Sequence, residues 1–282
     1  MSYGVCLLSV VPLRGEASER AEMVSQLLFG DTYELLEEDG NWLKIKTSDC
    51  GYEGFLNLKY HHALTDGQFQ ELKQTPQSLV SDFMTLICEE KSQTFFSVFI
   101  GTSFPKPDAQ GHFKLGDAVF ILPTNSDDST QNSKSVTSQD SQLSPVPCPL
   151  SSVEDHQATM LRVATTFLRA PYLWGGRTPA GIDCSGFTQL IYKSIGIQIP
   201  RDASQQVELG LPLDFASEAQ IGDLAFFQNE DGKIIHVGMV CGPGKIIHAS
   251  GQVHIDKLDD TGIFNVEKGQ YSHQLRIIKR IL

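Results

Sequence analysis

No cluster of lysine and arginine occurs in the 282 residues, and acidic residues outnumber basic ones by 34 to 22, for a formal net charge of -12. Affinity for a phosphate backbone is built from such clusters, so nucleic acid is excluded as the main partner. Long apolar runs are missing too. None approaches the roughly 18 residues that a membrane-spanning helix needs. Cysteine is sparse: Cys6, Cys50, Cys88, Cys148, Cys184 and Cys241 have neither the paired spacing of a zinc site nor the density of a disulfide scaffold. If Cys184 must stay a free thiol, the remainder is odd, which favours a reducing compartment or occasional cell-surface thiols over a disulfide framework. No charged segment precedes the short apolar run Val5 to Leu13, which is too short and too early for a secretion signal and reads as a first strand. The expected location is cytoplasmic, or exported or at the cell surface if a signal has been trimmed.

What is present divides the chain. A length of 282 residues exceeds the usual domain of about 100–200, so two or three cores are expected. Residues 1–63 break into short strand-like pieces, with Glu-Asp-Gly-Asn as a turn between Leu36 and Trp42, the pattern of a small closed barrel with Trp42 in its core. Residues 64–123 repeat that style as a degenerate second barrel, in which Gln77 to Cys88 reads equally as strand or helix. Residues 124–150 are a polar linker with almost nothing to bury. From residue 151 to 282 the period becomes helical, with Met160, Val163, Ala164, Phe167 and Leu168 forming one apolar stripe.

The chemistry gathers in "GIDCSGFTQLIYKSIG". Phe187, Leu190, Ile191 and Ile195 recur at helical spacing, so a helix starts near Cys184, with Asp183 as N-cap and Gly196 as its close. A thiol in that first turn meets the positive pole of the helix and its unpaired N–H groups, which favour the thiolate. From the helix alone, a reactive cysteine and a merely buried one are equally consistent. Downstream, "IIHVGMVCGPGKIIHAS" reads as two strands around a Gly-Pro-Gly turn. It sets His236 roughly opposite His248 if the register is near symmetric. A base and its orienting partner are what a nucleophilic cysteine requires. A zinc site on Cys184, His236 and His248 is disfavoured, because no short-spaced ligand pair is there to nucleate it.

"APYLWGGRTPAGIDCSGF", followed by "GDLAFF", "HVGMV" and "IIHAS", resembles the bacterial NlpC-type cysteine peptidases of cell-wall peptides. The resemblance covers about residues 155 to 282 and implies an α+β, papain-like catalytic domain behind two all-β SH3-like barrels. The domain order is similar to that of the γ-D-glutamyl-L-diamino acid endopeptidases of murein recycling. It implies Cys184 as nucleophile, His236 as base and His248 as the residue steadying it, with Tyr172 and the Cys184 N–H at the oxyanion. Glu22, Tyr52, Trp174, Asp183, Ser185 and Ser204 match positions that contact substrate in those enzymes.

The expectation is therefore a cysteine endopeptidase, with no cofactor or metal, acting as a monomer. Its substrate is a murein peptide with a free amino-terminal L-Ala, L-Ala-γ-D-Glu-diamino acid, cut after the D-glutamyl residue. Three alternatives remain: a surface hydrolase of intact peptidoglycan, an amidase or acyltransferase using the same residues, and an inactive wall-fragment sensor. For each residue a plainer role stands beside the implied one: core packing for Trp174, a helix cap for Asp183, a barrel-end position for Tyr52. His61, His62, His112, His254 and His273 show no partner pattern and receive no role.

Overall fold

The computed structural model describes residues 2–123, 144–145, 152–266 and 268–282. Most of the 124–150 linker, including Cys148, lies outside the described residues. Two compact units result: residues 1–22, 26–49 and 53–146 make the first, and residues 23–25, 50–52 and 147–282 the second.

In the first unit, β1 (Ser2–Val5), β2 (Val10–Arg14), β3 (Met23–Leu28), β4 (Thr32–Asp39), β5 (Trp42–Thr47), β6 (Glu53–Asn57) and β7 (His62–Leu64) form one sheet. Its order is β3-β2-β6-β5-β4-β1-β7. Alternation fixes the register: Leu43 and Ile45 of β5 point inward with Val11, Leu13 and Leu56, while Lys46, the residue after Ile45, faces water. The predicted turn is present, with β4 and β5 meeting at Gly40 in the left-handed conformation, φ +60°. Two details differ from expectation. The run Val5 to Leu13 is split between β1 and β2, and Trp42, at the mouth of that hairpin, is only half-buried.

Residues 64–123 begin with a helix that the strand-like reading passed over, α1 (Asp66–Gln74), opened by a Thr65–Gln68 capping box. The ambiguous segment resolves as strands, β8 (Gln77–Leu79) and β9 (Met84–Glu89). With β10 (Thr94–Phe99), β11 (Ser103–Pro105), β12 (His112–Leu115) and β13 (Ala118–Ile121) they make a sheet of order β10-β9-β13-β12 and a small one pairing β11, β8 and β14 (Ser144–Pro145). A second SH3 barrel is not confirmed. The apolar residues of this segment, Val98, Phe104, Phe113 and Phe120, share one cluster with Val5 and Phe29 from the preceding strands. Phe29 sits edge-on to Phe113 and Phe120, so the two segments are packed around a common aromatic centre.

The second unit places α2 (Val153–Thr166), β15 (Arg177–Thr178), β16 (Gly181–Ile182), α3 (Cys184–Lys193) and α4 (Ala203–Gln206) ahead of a sheet. Its strands are β17 (Leu211–Leu213), β18 (Leu224–Gln228), β19 (Ile234–Gly242), β20 (Lys245–Ser250), β21 (Gln252–Leu258), β22 (Gly262–Asn265) and β23 (Gln270–Arg280), in the order β17-β23-β18-β19-β20-β21-β22. β23 also pairs with β22, so β18 to β23 close into a ring around Phe227, Val240, Ile246, Leu258 and Ile278. The stripe on α2 buries Met160, Val163, Ala164 and Phe167, but Leu168, past the helix end, is 42 % exposed. α3 packs against β19 and β20 and buries Phe187, Leu190, Ile191 and Tyr192. Each of those apolar side chains contributes about 1.5–3 kcal/mol when fully buried. Gly196, at φ +80°, ends that helix as expected.

Candidate active site

Cys184 is the first residue of α3 and is buried. Asp183 caps the helix by accepting the Gly186 N–H at 2.6 Å, and its other oxygen accepts the Gly175 N–H at 2.8 Å. The same carboxylate is gripped by Arg201, whose Nη1 and Nη2 lie 3.0 and 2.5 Å from its two oxygens. Arg201 is 2 % exposed and also donates to Ser185 Oγ at 2.9 Å and, through Nε, to Ser25 Oγ at 3.0 Å. The turn that presents the thiol is thus fixed by a buried, fully bonded ion pair. Gln206 fastens α4 beneath it, bonding the Ser185 carbonyl at 3.1 Å and the Thr188 hydroxyl at 2.8 Å.

The thiol does not titrate as its position in the helix predicts. Burial, joined by the Asp183 charge, pushes it up to about 11, against the opposite pull of the Val237 and Ser185 backbone bonds and of Arg201. Desolvation therefore outweighs the backbone bonds that the thiol receives. The Val237 bond also sets Cys184 beside β19, next to His236.

His236 and His248 share a face of the sheet. Gly238 pairs directly with His248, so His236 sits two residues off, diagonal rather than opposite. This register brings His236 Nε2 to 2.9 Å from His248 Nδ1. A Cβ at position 238 would meet the His248 Cβ at 2.8 Å, so glycine here permits the approach. Burial, with the neighbouring His248, His273 and His254 rings, holds His236 well below the ordinary histidine value. Burial thus disfavours the charged form of both the thiol and the imidazole.

Asp256 continues the line. Its Oδ2 lies 3.4 Å from His248 Nε2, 3.1 Å from His254 Nε2 and 3.2 Å from Asn265 Nδ2. Burial would raise this carboxyl, but the His248 bond and the His254 and His248 charges hold it below its ordinary range. An ionised Asp256 only accepts, so His248 donates from Nε2 and accepts at Nδ1. His236 must then donate from its own Nε2, which leaves its Nδ1 lone pair free. His273 stacks on His236 with ring centroids 4.3 Å apart.

The other expected residues are distributed unevenly. Tyr172 is half-buried, bridged to Ile182, and its hydroxyl is raised by burial and by the adjacent Cys184 and Asp183. Trp174 is 58 % exposed, which rules out core packing. Asp183 and Ser185 are buried and bonded to Arg201, so Asp183 offers no free charge to a substrate. Ser204 is exposed on α4. Tyr52, counted with the second unit, is pushed up to about 12 by burial and by Asp202, to which its hydroxyl is bonded. Glu22 is an exposed residue of the first unit. Arg201, Asp202, Asp256, His254 and His273 received no role from the sequence. The alternation of His254 and Asp256 in "VHIDKL" was a readable signal that both share a face.

Among the described residues no helix is long and apolar enough to cross a membrane. Residues 169–268 match the NlpC/P60 family and residues 13–59 the bacterial dipeptidyl-peptidase SH3 domain. A γ-D-glutamyl-L-lysine dipeptidyl-peptidase of Bacillus subtilis (strain 168) is 43 % identical over 105 residues, which is 36 % of this chain and 34 % of the relative. The alignment thus spans about a third of that relative's length. Dipeptidyl-peptidase 6 of Lysinibacillus sphaericus is 25 % identical over 278 residues, covering 91 % of this chain and 92 % of the relative. The crystal structure of an NlpC/P60 family protein from Bacillus cereus ATCC 10987 superposes with a TM-score of 0.77 over 99 % of both chains, at 21 % identity, and so shares the fold. This chain carries an NlpC/P60 domain, preceded by a bacterial dipeptidyl-peptidase SH3 domain.

Proposed function

We propose that the protein is a cysteine peptidase that hydrolyses the γ-D-glutamyl–diamino acid bond of murein peptides carrying a free amino-terminal L-Ala, in cell-wall peptide recycling. The observation that carries this reading is the line from Cys184, at the start of α3, past His236 to His248 and Asp256. The name of the Bacillus relative supports a γ-D-glutamyl substrate, and that of the Lysinibacillus relative a dipeptidyl-peptidase.

The Cys184 thiol gives its proton to His236 Nδ1 as the sulfur attacks the side-chain carbonyl of the D-glutamyl residue. The Cys184 N–H and the Tyr172 hydroxyl donate to the oxyanion that forms. His236 returns the proton to the leaving amine, and a thioester remains. The same imidazole then takes a proton from water, which attacks the thioester and frees the thiol. A neutral starting pair suits this sequence, because charge appears only as the proton moves.

Selectivity for the free amine rests on Asp202 instead of Asp183. Burial raises the Asp202 carboxyl, with Arg201 and Tyr52 opposing, and a substrate ammonium compensates a carboxylate that has lost water. An acylated nitrogen brings bulk without charge. Trp174 and Ser204 remain exposed for contact with the peptide, and a role for Glu22 is part of the same proposal.

Mass-spectrometric product analysis tests it. L-Ala-γ-D-Glu-diaminopimelate and its L-lysine counterpart should release L-Ala-D-Glu, the amino-acetylated forms should react far more slowly, and Cys184→Ala should release nothing. Equal cleavage of free and acetylated peptides would sink the recycling assignment and favour a general wall hydrolase.

A further inference from the structure

His248, His254 and Asp256 bring three metal-ligand atoms within 4.8 Å of one another, on the side of His248 away from His236. The His254–Asp256 and His248–Asp256 separations are 3.1 and 3.4 Å. A tetrahedral zinc site with bonds of about 2.0–2.2 Å has ligand edges of roughly 3.3 Å. The third edge, between the two histidines, is within 4.8 Å and has to shorten for an ion to be shared, by a small shift of the part-exposed His254 ring that keeps its bond to the Gln252 carbonyl.

Tautomers carry the argument further. His254 Nδ1 lies 2.8 Å from the Gln252 carbonyl, so that nitrogen is a donor, and Nε2 is left with either a second proton or a lone pair that a metal can take. A backbone carbonyl on the far nitrogen is how metal-binding histidines are oriented. The lone pair faces an Asp256 oxygen that only accepts. Two acceptors 3.1 Å apart repel unless a cation sits between them, and the candidates are a proton on His254 or a metal ion. A cavity of about 690 Å³, lined by Arg169, Ser250, His254, Asp256, Asn265 and Lys268, opens onto the pair and gives an ion a way in.

We propose that His248, His254 and Asp256 form a site for a divalent transition-metal ion such as zinc, whose occupation switches the His236 base off. The inhibitory half of this statement rests on the peptidase reading above; the binding half does not. A metal takes the lone pair of His248 at Nε2, so the His248 proton must sit on Nδ1. His248 then donates to His236 Nε2 instead of accepting from it. The His236 proton is forced to Nδ1, the atom that has to receive the thiol proton. The ion thus blocks the reaction two side chains away by reversing the direction of one hydrogen bond.

The test begins with full-length Cys184→Ala, which removes zinc binding at the nucleophile. Calorimetric titration with Zn²⁺ should show one equivalent bound. Co²⁺ should give visible d–d absorption without the near-ultraviolet sulfur charge-transfer band. Placing His254→Phe in that background, with His254→Gln as a milder second variant, should weaken binding about a hundredfold or more. With an otherwise native chain, Zn²⁺ should inhibit hydrolysis, and His254→Phe should lose that sensitivity, each protein being compared with its own rate in the presence of a chelator. Absence of binding to Cys184→Ala, or binding unchanged by both His254 variants, overturns the site. Binding without inhibition overturns the switch. Because the calorimetric and optical arms need no substrate, loss of the peptidase reading would leave them interpretable.

Discussion

His236 Nε2 and His248 Nδ1 lie 2.9 Å apart, and an ionised Asp256 beyond them fixes which nitrogen carries each proton. His236→Ala should lower kcat on the order of 10⁴-fold or more, as removal of a triad base does elsewhere. His248→Gln or Asn should keep a measurable fraction, because an amide still holds the imidazole by a hydrogen bond. Asp256→Asn can donate to His248 Nε2 and impose the wrong tautomers. We expect a fall in kcat of about 10²-fold or more with KM little changed. Equal loss in the His236 and His248 variants, with both folded, would contradict these roles.

Removing the base isolates the thiol. In His236→Asn, Cys184 has no proton acceptor beside it and should titrate where burial puts it, at about 11. A raised pKa keeps the unreactive protonated form dominant below that value, so iodoacetamide labelling should stay low to pH 9 and climb above it. The unmodified enzyme should label faster at neutral pH if His236 takes the proton during attack, as proposed. Peptide mapping of labelled protein across the pH range measures both. Ready labelling of the variant at pH 6 would mean that the helix end alone makes the thiolate.

Asp183 concerns stability before catalysis. Asp183→Ala removes the cap of α3, worth about 1 kcal/mol, and leaves Arg201 buried without its carboxylate, at about 3–5 kcal/mol. Urea unfolding followed by circular dichroism should show a loss in that range. A loss under 1 kcal/mol would mean that the ion pair is far less committed than its geometry indicates.

Gly238→Ala offers a steric test. The added methyl meets the Ile246 side-chain end at 2.7 Å, which can rotate away, and the His248 Cβ at 2.8 Å, which cannot. Displacing His248 should cost on the order of 10-fold to 10²-fold in kcat, with KM nearly preserved. An unchanged kcat would show that the histidine pair tolerates the shift.

How far the sequence discloses this site depends on the range of each interaction. The span of α3, its cap at Asp183 and its close at Gly196 follow from local spacing, and the structure agrees. So does the hairpin that carries His236 and His248, although their diagonal offset is set by the irregular turn. Arg201 was invisible because its partner lies 18 residues away across a fold. The upward push of burial on the thiol is hidden for a similar reason: the helix end is a local feature, whereas desolvation depends on everything packed around Cys184. In the first unit, the Thr65–Gln68 box announces α1 to any reader who looks for caps. The aromatic centre around Phe29 depends on Phe96, Phe104, Phe113 and Phe120, far downstream, and leaves no short-range mark.

Ser25 belongs to β3 by sequence, yet its hydroxyl accepts from the buried Nε of Arg201, and residues 23–25 and 50–52 are counted with the unit that holds Cys184. The catalytic half is therefore not a contiguous cassette. An expression fragment starting at residue 151 would lose that acceptor and leave a desolvated guanidinium nitrogen unmatched, a penalty of about 1–3 kcal/mol or more for a charged group. Grafting a foreign amino-terminal module onto residues 151–282 would carry the same defect unless the graft restored a hydroxyl at that point. Swapping leading domains is thus constrained in this architecture by one serine.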